Sequence, residues 1–237
     1  MNTRVARVAG GALLVLLGIW AGAWVYRTHG AAQRHRGVPV PAGEASAPNP
    51  TDLARGPEDA VEGAMPPSKI PDRLPQFSLQ DSAGKATPIT SFGDKSLIIN
   101  FWATWCAPCR REIPLLETLH AEWSGRDVTV VGIAVDYRDK VLEFADRFKI
   151  AYPLLIGEQD ALDAAAAFGV QSPVFPFTVF TDRRGEVVAL FVGELHKPQA
   201  ELILGEVQKL NQGLIELKAA RQAIAEGLSA LIAEHPA

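Results

Sequence analysis

Apolar positions along the 237-residue chain keep several different spacings, and each spacing points to an element. Between Arg7 and Arg27 lie only uncharged, mostly apolar residues, Val8 to Tyr26. A helix of that length spans on the order of 28 Å, close to the hydrocarbon thickness of a bilayer. No apolar period survives over 37–72, where Pro39, Pro41, Pro48, Pro50, Pro57, Pro66 and Pro67 mix with small and acidic residues. Such a stretch buries too little to offset its ordering entropy, and a disordered tether is expected. Leu74 to Leu79 then alternates apolar and polar, Asp81 to Gly84 turns and Thr87 to Thr90 returns, the pattern of a hairpin. Leu97 to Trp102 is apolar on both faces, as a central strand covered by helices should be.

A helix is expected from Cys106 to about Trp123, kinked at Pro114. Asp127 to Val135 reads as the next buried strand. Lys140 to Lys149 reads as a helix with Val141, Phe144, Ala145 and Phe148 on one face. Tyr152 to Ile156 is a short strand, and Ala161 to Phe168 a helix closed by Gly169. Thr178–Thr181 and Glu186–Val192 pair as a hairpin around Asp182–Gly185. From Pro198 the spacing changes. Ile203, Val207, Leu210, Leu214, Leu217, Arg221, Ile224, Leu228 and Leu231 step 4-3-4-3, an a/d seam interrupted by one arginine. Its first part serves as the last helix of the domain. Beyond it, an amphipathic helix over 211–237 either packs on the domain or joins two copies in a homodimer. Gly205, Gly213 and Gly227 each weaken this stretch by about 1 kcal/mol. Strand–helix alternation argues for an α/β sheet. The chain thus divides into a membrane segment (1–36), a tether (37–72), an α/β domain (73–210) and a C-terminal helix (211–237).

Charge refines the membrane segment. Arg4, Arg7 and the α-amino group favour a cytoplasmic N-terminus, while Arg27, Arg34 and Arg36 weaken that asymmetry. Trp20, Trp24 and Tyr26 sit where an interfacial aromatic belt would lie. Ala21-Gly-Ala23 would suit signal-peptide cleavage, but the apolar run is longer than a typical signal core and favours an uncleaved anchor. Either way the bulk of the chain lies outside the cytoplasm. A net charge of −4 gives no hint of nucleic acid.

The chemistry concentrates in Asn100-Phe-Trp-Ala-Thr-Trp-Cys106-Ala-Pro-Cys109-Arg-Arg-Glu112-Ile-Pro114, which holds both cysteines of the chain. A Cys-X-X-Cys at a strand-to-helix junction is a redox arrangement. The helix N-terminus favours thiolate over thiol at the first cysteine, and the second sits within disulfide reach. Pro108 lacks an N–H, which a first helical turn tolerates. Zinc needs three or four ligands and c-type haem needs a His after the second Cys, whereas Arg110 follows here and no second Cys pair exists. No cofactor and no metal are called for.

This segment resembles the active site of thioredoxin-fold proteins, and more narrowly the membrane-tethered TlpA/ResA-like thiol-disulfide oxidoreductases. The motifs that carry the resemblance are Trp105-Cys-X-X-Cys, Arg110-X-Glu-X-Pro and the later Pro176-X-Thr178, within roughly Leu74 to Leu210. The resemblance implies a thioredoxin fold, a central mixed sheet flanked by helices. It further implies an added N-terminal hairpin, an insertion over Tyr137–Gly169 and a C-terminal helical extension.

It also implies roles. Cys106 is the attacking thiolate and Cys109 the resolving cysteine. Glu112 is the base or proton relay, against the plainer reading of a solvated residue paired with Arg110 or Arg111. Asn100 stands where cytoplasmic thioredoxins keep a buried Asp. Trp105 frames the disulfide. Pro176 is the cis-proline that meets an extended substrate, with Pro173 as the rival and Phe175 as a substrate-facing neighbour.

Function follows as an expectation: a single-pass bacterial inner-membrane protein, its catalytic domain in the periplasm, reducing disulfides of exported proteins. Apocytochromes and metal-site cysteines are candidate substrates, and a membrane electron-donor protein of the thiol-reducing pathway would recharge it. A disulfide-forming oxidase would use the same residues. A copper-handling thiol protein would recruit His196. A peroxidase is disfavoured, because Thr104 stands only two residues before Cys106.

Overall fold

The sheet is built around Ser96–Trp102, all seven residues of which are buried. The computed structural model describes residues 63–64, 70–170 and 174–234; the expected membrane segment, most of the expected tether and Pro173 lie outside them. In chain order the strands are β1 (Gly63–Ala64), β2 (Ser78–Asp81), β3 (Ala86–Pro88), β4 (Ser96–Trp102), β5 (Val128–Val135), β6 (Leu154–Gly157), β7 (Phe177–Thr181) and β8 (Val187–Val192). They form one mixed sheet in the order β1-β8-β7-β4-β5-β6-β2-β3. Parallel pairs β4–β5 and β5–β6 lie at its centre, and antiparallel strands flank them. The helices are α1 (Ala107–Trp123), α2 (Arg138–Phe148), α3 (Gln159–Ala167), α4 (Lys197–Asn211) and α5 (Leu217–Glu234).

Strand periodicity sorts the core into two layers. Leu97, Ile99 and Phe101 pack with Ala161, Ala164, Ala165 and Phe168 on the α3 side. Ile98 and Trp102 pack with Leu116, Leu119, Val141, Ile203 and Ile224, under α1, α2, α4 and α5. Asn100, two residues from each of Ile98 and Trp102, therefore faces α1 from the middle of a fully buried strand.

Three expectations shift. Leu74 does not open the first hairpin, because its N–H donates to the Gly185 carbonyl at 2.8 Å, in the β7–β8 turn. The hairpin starts at Ser78, and Asp81 ties its turn by accepting from the Ala83 and Lys85 N–H groups and the Thr87 hydroxyl. Folding also begins before residue 73. Gly63–Ala64 pairs with Phe191 and Val192, Ile70 is buried, and the Asp72 carbonyl accepts from Val187 N–H. Phe148, expected on the inner face of α2, is 42% exposed, whereas Val141 carries the burial there.

The C-terminal seam is two helices, as its division into a last domain helix and a further amphipathic helix anticipates. Gly213 adopts φ +70, its N–H donates to Leu210 O and the Leu214 N–H to Lys209 O, which closes α4. Ile203, Val207 and Leu210 are buried along α4, as are Ala220, Ile224 and Leu228 along α5. Leu214, between the helices, is exposed. These buried positions of the heptad spacing pack onto this chain's own core. A Cβ on Gly227 would meet Leu202 Cδ1 at 2.5 Å, so glycine permits the close approach of α4 and α5. Arg221, read as a break in the seam, ties α5 to the sheet edge. Its guanidinium donates to Val187 O at 2.7 and 3.1 Å and to Pro71 O at 3.2 Å, and pairs with Asp72 at 3.0 Å.

Arg221→Ala strips two edge carbonyls of their donors. Urea unfolding should show a loss of about 2 kcal/mol with an unchanged m-value; a midpoint within error of the parent would mean the edge holds without it.

Candidate active site

The β4 backbone ends at Trp102, and a turn in which Cys106 N–H donates to Ala103 O at 3.1 Å delivers Cys106 to the start of α1. Cys106 is the N-cap, with extended backbone (φ −79, ψ 110), and its Sγ accepts from the Cys109 N–H at 3.2 Å. A sulfur thus does the work a Ser or Asp oxygen does at an ordinary cap. Pro108 lies in the first turn, where an N–H has no intrahelical partner anyway. The two cysteines form a disulfide with Cα atoms 5.3 Å apart. Cys109 is fully buried, and Cys106 retains a small exposed fraction. On reduction, the positive end of α1 favours a thiolate on Cys106.

One turn along α1 from Cys109, Glu112 points into the core and is 2% exposed. Asn100 Nδ2 donates to its Oε1 at 2.7 Å, and Leu195 N–H donates to its Oε2 at 2.9 Å. Asn100 Nδ2 also donates to Thr178 Oγ1 at 3.0 Å, directly across the β4–β7 ladder. Burial dominates the electrostatics. It pushes the Glu112 carboxyl up to about 8, against the two hydrogen bonds, which favour the anion; nearby Glu194 pushes the same way as burial. The reading of Glu112 as a solvated partner of Arg110 or Arg111 is therefore overturned. Arg111 instead donates to Glu194 at 2.8 Å. On the same face the Tyr152 hydroxyl is held above its ordinary range, first by burial and then by Glu117 and Glu112.

The rim comes from a second loop. The Phe175–Pro176 peptide is cis, at the proline to which the resemblance assigned it. Phe175 is half-buried; its ring lies 6.1 Å from Trp105, edge-on, and 6.2 Å from Phe177, stacked. Trp105 is 67% exposed and Val174 49%, so the segment bearing the nearly buried disulfide and the cis-proline loop that meets it through Phe175 both present exposed apolar side chains. Gly193 N–H donates to Pro176 O at 2.9 Å. Three consecutive residues after β8 therefore each grip a different part of the site: Gly193 the cis-proline, Glu194 the first turns of α1, and Leu195 the buried carboxylate.

Reading the residues alone missed Glu194, Leu195 and the bond that Thr178 makes. Thr178 had a signal, since a hydroxyl on a wholly buried strand needs a partner. Leu195 had none, because it acts through its backbone. His196, the imagined third metal ligand, is exposed ahead of α4. Among the described residues no three His, Cys, Asp or Glu side chains group as a metal site.

Residues 70–190 match the AhpC/TSA family. The thiol-disulfide oxidoreductase ResA of Geobacillus thermodenitrificans is 33% identical over 124 residues, covering 52% of this chain and 69% of that protein. The thioredoxin-like protein YneN of Bacillus subtilis is 33% identical over 133 residues, covering 54% and 75%. Among solved structures, a secreted thiol-disulfide isomerase from Corynebacterium glutamicum superposes with a TM-score of 0.50 at 25% identity, covering 72% of this chain and 95% of that one. A DsbF homologue from Corynebacterium diphtheriae gives 0.50 at 24%, covering 70% and 96%.

The raised Glu112 pKa carries a stability signature. Between its ordinary value of 4.5 and about 8 the folded chain binds more protons than the unfolded one. Stability of the disulfide form should therefore fall as pH rises through that window, by up to ~1.4 kcal/mol per unit. Urea titrations at pH 5, 6.5 and 8 should show this fall in the parent and not in Glu112→Gln; equal slopes would place the charge on Glu112 throughout.

Proposed function

The chain belongs to the AhpC/TSA family and is a thiol-disulfide oxidoreductase of the ResA kind, and on that footing we propose that it reduces disulfides of exported proteins, outside the cytoplasm, through a Cys106-Ala-Pro-Cys109 dithiol cycle. The observation that carries the reading is the pairing of a helix-capping disulfide with a buried, proton-holding carboxyl one turn below it.

In the reduced protein the Cys106 thiolate attacks one sulfur of the substrate disulfide, forming a mixed disulfide and expelling a substrate thiolate. Glu112, as the anion, takes the proton of Cys109. The Cys109 thiolate then attacks Cys106 Sγ, the second substrate sulfur leaves, and the Cys106–Cys109 disulfide closes. Two electrons pass to the substrate; Glu112 returns the Cys109 proton to one departing substrate thiolate, and solvent supplies the proton of the other. A carboxyl with a pKa near 8 exchanges a proton close to neutrality in either direction, which suits a group that must both accept and return one. The apolar rim of Trp105, Val174 and Phe175, with the cis Pro176 backbone, would receive the polypeptide around the substrate cystine.

Extracytoplasmic placement rests on Val8–Tyr26, long and apolar enough for a single-pass inner-membrane anchor. Among the described residues no helix is long and apolar enough to cross a membrane. A reductase outside the cytoplasm needs recharging, so a membrane electron-donor protein completes the cycle. Apocytochromes are among the substrates this would serve.

Two measurements test the reading. Cys109→Ser should trap a mixed disulfide at Cys106 that mass spectrometry detects, and Cys106→Ser should trap none. Glu112→Gln should slow resolution by on the order of 10²-fold at neutral pH. The direction is decided by the reduction potential of the couple. A value near roughly −270 mV supports a reductase, and one near roughly −120 mV would reverse the cycle into oxidation.

A further inference from the structure

Beside the disulfide-bearing segment lies a pocket of about 450 Å³ that the exchange chemistry does not use. Arg110, the residue after Cys109, forms one wall, and α2 forms the other through Lys140, Glu143, Phe144, Arg147 and Phe148. The α2 residues fall at i, i+3, i+4, i+7 and i+8, a single helical face. That face is not an ordinary solvated one. Phe144 and Phe148 stack at 4.2 Å between their ring centroids, and Phe148 is 42% exposed.

The charges are equally unusual. Arg110, Lys140 and Arg147 are exposed, and among the described residues none of them forms an ion pair, whereas the adjacent Arg111 is paired with Glu194. Arg147 and Lys140 instead lie over aromatic rings, 5.6 Å from the Phe148 centroid and 4.9 Å from that of Tyr137. Three cations against the single acid Glu143 leave the pocket positive on a chain whose net charge is −4.

We propose that this pocket is a docking site for an acidic segment of the substrate polypeptide, a run of carboxylates around an apolar side chain lying close to the disulfide to be reduced. The stacked rings receive the apolar side chain, and the three unpaired cations receive the carboxylates. The position beside Cys109 makes the site a selector: it holds a substrate whose cystine can reach Cys106 while its acidic flank lies along α2. Charge of this kind acts mainly on encounter, raising association rates by tenfold or more at low salt, and it is screened within about 10 Å at 0.1 M.

The inference rests on the oxidoreductase reading, and the experiment separates the two. The full chain, reduced, is given a cystine peptide flanked by Glu-Leu-Glu or the same peptide flanked by Gln-Leu-Gln. The readout is the ratio of the second-order rate constants with which the two peptides oxidise the Cys106–Cys109 dithiol in a single turnover. The parent ratio should exceed about tenfold at low ionic strength and collapse toward one in high salt. Arg147→Glu should bring it near or below one, whereas Lys218→Glu, an equal charge change on α5, should leave it in place. A parent ratio near one, or equal losses in both variants, overturns the docking site. Failure to reduce either peptide overturns the oxidoreductase reading along with it.

Discussion

The site depends on keeping one carboxyl out of water. Glu112 sits in the core because two donors meet it there, the Asn100 amide from the central strand and the Leu195 N–H from the loop after β8. Without them its burial would cost several kcal/mol; with them, burial still outweighs the bonds and holds the proton. Fewer donors would make the site costlier to fold, and more would produce a permanently charged base. Two give a group poised between the two states.

That constraint reaches outward through the architecture. Asn100 must face α1, so β4 must be in register with the helix that follows it, and Thr178 must sit opposite on β7 to occupy the amide's second hydrogen. Leu195 must arrive from β8, so the β7–β8 hairpin and the start of α4 are bound to the same carboxyl. The Gly193 bond to Pro176 and the Glu194 bond to Arg111 lock that loop on either side. The disulfide-bearing helix, the cis-proline and the buried carboxyl are thereby held by one short loop.

The legible part of this was whatever depends on side-chain pattern. A strand apolar on both faces and two cysteines at its helix-side exit were enough to mark Cys106 and Cys109, whereas Asn100 and Pro176 were marked by the family resemblance. Glu112 was marked only through resemblance, since a glutamate between Arg111 and Ile113 in a charged helical turn looks solvated by composition. Leu195 was invisible, because a backbone donor 83 positions away leaves no trace in residue type. The C-terminal seam was legible as two helices but not in its packing partner. Its 4-3 spacing runs through Gly213 without a break, and the spacing alone does not say whether a helix packs on its own sheet or on a second copy; Gly213, at φ +70, was the sign of the turn. Arg221 looked like a defect in the seam because its partners are carbonyls of Pro71 and Val187, which are likewise unwritten in the side-chain pattern.

The two charge systems near the cysteines obey different physics, and that separates the steps they serve. Glu112 is enclosed in a low-dielectric interior where dissolved ions screen little, so its protonation is insulated from ionic strength. Arg110, Lys140 and Arg147 stand in solvent, where attraction decays over a Debye length and governs encounter. In the proposed cycle salt would act on which substrate arrives, and pH on how fast the mixed disulfide resolves. Arg110 and Glu112 lie two residues apart on α1, so this helix carries the carboxyl on its inward face and one of the three cations on its outward face. Its outward face can change to suit another substrate while its inward face, tied to Asn100 and Leu195, stays fixed.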